Sequence, residues 1–280
     1  MGYINASKGG IIAFIIILFL TFVLPNKEPG GNVEIILTIS TFLFAIFSGF
    51  FISRLSNRYD QIKDLIAEED AYWLSIYENS HFFSKDFVDK VRNIIDKYYI
   101  VAFDFDLGAA YKHNAKYMTQ MYDELKKVKF PNNKAADVFD DMTGLLSSIE
   151  LVRNKCAVHY LEKLSRGQWS VLFALSAVIL YSLYYLRGDD IYSQVITVLL
   201  ATILILVLLI TRDLINFRLY GKITVAESGQ EIFDNIGKLR YCIHDDEKEF
   251  IHSLPPETVK YRLGLHEPGQ ELKIKTINKK

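Results

Sequence analysis

Six histidines and two cysteines are the side chains of this 280-residue chain best suited to bind a metal or act as a nucleophile, and their spacing fits neither task. His81, His113, His159, His244, His252 and His266 share no ligand interval, and Cys156 and Cys242 are too few for a thiolate zinc cluster. There is no P-loop, His-Glu-x-x-His, nucleophile elbow or dinucleotide glycine fingerprint, so neither an enzyme nor a cofactor is expected. Asp245, Asp246 and Glu247 are weak calcium candidates: Lys248 dilutes the run, and one helical segment rarely converges enough oxygen ligands. The ordinary reading of that run is a solvated helix end. More suggestive is an apolar stripe, Phe42, Ile46 and Phe50, at four-residue intervals. Around a symmetry axis such a stripe forms a hydrophobic constriction that gates by dewetting; facing lipid, it is ordinary. Ser48 and Gly49, small residues beside the stripe, would let neighbouring helices approach closely.

The elements that must position this stripe are membrane spans. Apolar stretches run from Gly10 to Leu24, Val33 to Ser53, Gln168 to Leu186 and Ile191 to Thr211. The last three are long enough to cross a hydrocarbon core at about 1.5 Å per residue. The first is shorter, but Pro25-Asn26-Lys27-Glu28 offers no signal-peptidase site, so it is read as a retained helix extended backwards toward Tyr3. The expectation is an all-α integral membrane protein with a helical cytoplasmic domain. Its divisions are 1–54 (spans one and two), 55–167 (cytoplasmic helices), 168–211 (spans three and four), 212–254 (a C-terminal cytoplasmic helix) and 255–280 (a tail, hairpin or disordered).

Charge refines this picture. A net charge of −1 and a pI near 6.6 disfavour nucleic acid as a partner. Arg54, Arg58 and Lys63 follow the second span, Lys163 and Arg166 precede the third, and Arg212, Arg218 and Lys222 follow the fourth. The connections Pro25 to Asn32 and Arg187 to Asp190 hold only Lys27 and Arg187. Both termini and the central region are therefore expected in the cytoplasm, where the cysteines would remain thiols. No ionisable residue lies in mid-span, which argues against a pump or proton-coupled carrier.

Between spans two and three the apolar residues recur at helical spacing. Ile62, Leu65, Ile66, Tyr72, Trp73 and Ile76 mark one face of a helix continuing from the second span. Ser84 is a plausible N-cap for a helix reaching Val128, Phe130-Pro131-Asn132-Asn133 is a break, and a helix from Ala135 to Leu164 leads into the third span. Leu214 to Phe250 reads as amphipathic helix, in which Gly221, Gly229 and Gly237 mark either a close contact or weak punctuation. Lys260 to Leu265 and Glu271 to Ile277 could pair as a hairpin.

The order of two spans, a long helical insert, two spans and a further helix resembles the bestrophins, and more closely the bestrophin-like membrane proteins of bacteria and plants. Arg54-Leu55-Ser56-Asn57-Arg58-Tyr59-Asp60 is similar to the bestrophin pattern Arg-x-x-Asn-x-Tyr-acidic, and Gly49-Phe50 to the Gly-Phe pair of the bestrophin neck. Leu151-Val152-Arg153-Asn154-Lys155 and Leu164 to Trp169 are similar to the same family, over residues 10–250 in all. The family motif thus picks out Arg54, Asn57, Tyr59, Asp60 and Arg153.

The resemblance implies a homopentameric channel for small ions, anions preferred, in a bacterial inner or plasma membrane. Second spans would line its pore, with the constriction at Phe42, Ile46 and Phe50. Two departures stand out: Gly49 lies closer to Arg54 than the neck pair lies to its arginine, and the acidic clasp of the calcium-gated members is diluted here. The alternative from a different class is a non-conducting membrane scaffold or signalling protein whose helical bundle binds a partner.

Overall fold

A computed structural model describes residues 4–23, 31–105, 107–129, 133–217 and 227–279. The loop at 25–30, the break at 130–132 and Gly221 lie outside the described residues. The chain forms two compact units, one of residues 1–60 and 163–221, the other of residues 61–162 and 222–280.

The first unit holds α1 (Ala6–Val23), the beginning of α2 (Val33–Ser80), α6 (Arg166–Tyr185) and α7 (Ile191–Ile215). Each belongs to a helix long and apolar enough to cross a membrane. Ile17, Phe44, Phe51, Leu172, Ile179, Val198, Ala201 and Leu204 form its core. Around that core Ile11, Ile15, Phe19, Phe22, Ile35, Phe173, Leu199 and Ile203 are exposed, as a lipid-facing wall requires and a water-facing one forbids. The chain is an integral membrane protein. Helix α1 lies against α7, where a side chain at Gly9 or Gly10 would meet Leu209 or Leu206. At the foot of this pair, buried Asp213 accepts from the Ala6 backbone N–H at 2.6 Å, a carboxylate set on the positive end of α1. Arg212 flanks the same carboxylate at 2.8 Å.

The second, polar unit contains the rest of α2, then α3 (Lys85–Asp104), α4 (Leu107–Leu125), α5 (Asn133–Leu161), α8 (Glu227–Asn235) and α9 (Glu247–Ser253). A three-stranded sheet completes it, ordered β1 (Tyr241–Ile243), β2 (Lys260–Gly264), β3 (Ile274–Asn278). Trp73, Ile76, Val91, Ile95, Met121, Met142, Leu146, Ile149 and Phe233 are fully buried in its core, so α2, α3, α4, α5 and α8 each contribute an apolar face. Ser84 caps α3 by accepting from the Phe87 backbone N–H at 3.3 Å.

Two expected helices are each interrupted. The stretch from Ser84 to Val128 ends at Phe105, whose extended backbone closes α3, and resumes as α4. Folding back lets α3 and α4 pack on one another and bury both apolar faces, which one straight rod cannot do. Gly108 permits the return: a side chain there would collide with the Tyr160 ring of α5. The stretch from Leu214 to Phe250 is likewise not one helix. Helix α7 stops at Ile215 and Phe217 takes φ 54°, α8 stops before Gly237 at φ 70°, and Tyr241–Ile243 is a strand parallel to β2. Tertiary contacts override the periodicity here, because the Gln230 amide both donates to the Tyr241 carbonyl (2.6 Å) and accepts from its N–H (3.0 Å), holding that backbone extended. Beyond it, β2 and β3 form the antiparallel hairpin, in register from Lys260 opposite Asn278 to Gly264 opposite Ile274.

Leu146 is wholly buried where α5 meets the core. Leu146→Ala should destabilise the protein by about 2–5 kcal/mol, whereas Thr119→Ala on an exposed helix position should stay within about 0.5 kcal/mol. Denaturant unfolding in detergent measures both.

Candidate functional site

Two sets of residues stand out, one in each unit. In the membrane unit, α2 turns Ser40, Phe44, Ser48, Phe51 and Leu55 inward. Phe42, Ile46 and Phe50 are 66%, 51% and 61% exposed. At about 100° per residue they centre roughly 180° from the buried stripe, on the face of α2 that the described helices leave open. Gly49 shares that openness, with nothing but its chain neighbours and its own helix backbone within 4 Å of where a side chain would begin. Ser48 does not: it is buried and its hydroxyl bonds to the Ala45 carbonyl at 3.3 Å, so only the glycine lies beside the stripe on the open face.

The family-motif residues do not form one cluster. Arg54, Asn57 and Asp60 are exposed, while Tyr59 is buried with its ring stacked on Phe217, 6.0 Å between centroids. Arg58, between them, is buried with its guanidinium 4.2 Å over the same ring and donates to the Ile215 carbonyl at 3.4 Å. This segment of α2 is thereby clamped to the end of α7. Arg153 belongs to the polar unit, where it donates to the Tyr111 carbonyl at 2.6 Å and the Asn114 Oδ1 at 2.7 Å.

The second set surrounds that arginine. Glu69 and Asp70, neighbours on α2, are both buried. The Tyr98 hydroxyl donates to Glu69 Oε1, Tyr111 donates to Oε2 at 3.0 Å, and Tyr99 donates to Asp70 Oδ1 at 2.5 Å. Consecutive tyrosines of α3 thus meet consecutive acids of α2, a third phenol reaches in from α4, and the Arg153 guanidinium of α5 lies over the rings of Tyr98 and Tyr111 at 5.6 and 5.2 Å. Desolvation raises Glu69 to about 7 against the pull of Tyr98, with the charge of Asp70 adding to the rise and Arg153 opposing it. Desolvation likewise raises Asp70 to about 6, opposed by Ser228 and Tyr99. Burial first, then the neighbouring carboxylates, push Tyr98, Tyr99 and Tyr111 upward, so all three phenols keep their protons and remain donors. Burial pushes the Cys156 thiol beside them up to about 11, far from a reactive thiolate.

Neither acid belongs to a sequence motif, but the spacing around Glu69 carries a signal. Ile62, Ile66, Glu69, Trp73 and Ile76 follow the three- and four-residue spacing of one buried face, so Glu69 occupies a core position. The calcium candidates behave differently. Asp245 is exposed, Glu247 accepts from the Tyr261 hydroxyl at 2.7 Å, and among the described residues no three His, Cys, Asp or Glu side chains converge as a metal site. A buried pair of another kind joins the tail to α3: Asp104 contacts His266 Nε2 at 2.8 Å and accepts from the Tyr241 hydroxyl at 2.6 Å.

The Bestrophin-like domain matches residues 11–217, which run from within α1 to just beyond the end of α7, and the chain belongs to that family. No curated protein and no solved structure matches it.

Because both acids hold their protons more tightly folded than unfolded, the stability they confer is full below about pH 4 and is lost as pH rises through about 6 and 7. The rise at Glu69 alone corresponds to on the order of 3 kcal/mol. Glu69→Gln, which stays neutral, should lose less thermal stability than the unaltered protein between about pH 5 and pH 8. Melting in detergent at both pH values checks it; equal losses would show that Glu69 is ionised throughout.

Proposed function

We propose that the chain is a passive channel for small ions, anions preferred, built as a homo-oligomer whose α2 helices surround the pore. The observation that carries this reading is the open face of α2 with Phe42, Ile46 and Phe50 in line along it. Membership in the Bestrophin-like family supports an ion channel, and the resemblance to the bestrophins gives a pentameric ring as the expected assembly. A single copy of four apolar helices carries no mid-span ionisable residue to pass an ion, whereas copies repeated around one axis create a conduit between them. At the stripe an ion would lose hydration without gaining replacement ligands, so three apolar side chains per copy suffice for a gate. The basic flanks favour both termini and the polar unit on the cytoplasmic side.

Replacing Phe42, Ile46 and Phe50 together by alanine should widen and wet this throat. Ion flux into liposomes should rise several-fold, with the oligomer intact by native mass measurement. Unchanged flux from intact oligomers would mean that the stripe faces lipid, and a monomeric unaltered protein would remove the ring. Orientation is checked separately: a cysteine at Lys129 should resist a membrane-impermeant thiol reagent in intact cells and react after lysis.

A further inference from the structure

We propose that Glu69 is a reversible proton-binding site through which the acidity of the compartment bathing the polar unit acts on helix α2. The geometry is that of a group built to exist in two protonation states. Ionised, the carboxylate accepts from two phenols on two different helices, Tyr98 of α3 and Tyr111 of α4. When it gains a proton, its own O–H must donate, so one phenol has to turn from donor to acceptor. Tyr111 is the one placed to turn, because Cys156 Sγ stands beside it as an alternative acceptor for the phenolic hydrogen. The proton ends on Glu69, every phenol keeps its own, and one hydrogen bond changes direction.

The surroundings keep both states accessible. From α2, Asp70 adds a like charge next door, itself held by Tyr99 and facing Ser228 and Glu231 of α8. From α5, the Arg153 cation favours the ionised form, while its own hydrogen bonds go to Tyr111 and Asn114 of α4 rather than to the carboxylate. Arg153 therefore tempers the site without locking it as a direct ion pair would. With Glu69 raised to about 7, a modest change in acidity alters its charge. Glu69 lies on the same unbroken helix, Val33–Ser80, that carries the open apolar stripe. Any coupling to conduction rests on the channel reading above; proton binding does not.

The test separates the two. The full chain has two tryptophans, and Trp73 lies 4.8 Å from the Tyr98 ring, so a Trp169→Phe background leaves a reporter within the cage. Its emission should show a transition near pH 7 that is absent in Glu69→Gln. In Tyr111→Phe, which removes one donor to the carboxylate, the midpoint should move up by about half a pH unit or more. Should Glu69→Gln fail to fold, that shift still decides the matter. Identical titrations in the unaltered and Glu69→Gln proteins, or an unmoved midpoint in Tyr111→Phe, overturn the proposal. Flux into liposomes with equal pH on both sides should change through the same midpoint and become pH-independent in Glu69→Gln. Flux that ignores pH sinks the coupling. No flux at any pH sinks the channel reading instead, while the fluorescence still decides the proton site.

Discussion

One unbroken backbone ladder runs the length of α2, and it has to serve two solvents. A helix in hydrocarbon satisfies its own N–H and C=O groups, so Val33 to Ser53 needs nothing from its surroundings except apolar contact. The same helix then enters a unit where polar side chains are packed out of water and must find partners. Glu69 and Asp70 are where that demand is greatest, because a buried carboxyl without donors or a proton is among the costliest groups a core can hold. The tyrosines of α3 and α4 supply the donors, and Arg153 supplies a moderating charge. The packing of α2 among α3, α4 and α5 thus depends on a polar centre as well as on the apolar residues around it.

The membrane unit shows the opposite economy. Its interior is small, and most of its apolar surface points outward. Its charged side chains bind toward helix ends, with Asp213 under the first turn of α1 and Arg187 donating to the Thr21 carbonyl. Between those ends the helices meet through aliphatic and aromatic side chains, and Gly9 and Gly10 let α1 approach α7 closely. Among the described residues such an arrangement leaves one face of α2 open, which is the geometric basis for the proposal that neighbouring copies meet there.

Much of this was readable in the residues. Hydropathy located four spans because hydrocarbon imposes length and composition together, and Ser84 announced the start of α3 by its capping chemistry. The hairpin was visible as two short runs around Pro268-Gly269, and Gly269 does take φ 87°. What escaped was non-local. The turn after Asp104 and the strand at Tyr241 are fixed by partners far along the chain, Tyr160 over Gly108 and Gln230 on the Tyr241 backbone, and a periodicity count has no access to either. Glu69 escaped for a different reason: pattern reading treats an acid as surface, whereas its place in the spacing put it in the core.

The polar unit is assembled from two stretches of chain, 61–162 and 222–280, with α6 and α7 made in between. Asp104 illustrates the effect, since its partners Tyr241 and His266 are 137 and 162 residues downstream. During synthesis the first stretch therefore emerges with a carboxylate whose buried surroundings do not yet exist, and it must wait while two apolar helices enter the bilayer. Completion of the polar unit therefore needs α6 and α7 to have been made first. Only a chain whose last two spans have been threaded correctly delivers residues 222–280 to the same side as residues 61–162, where Asp104 is waiting.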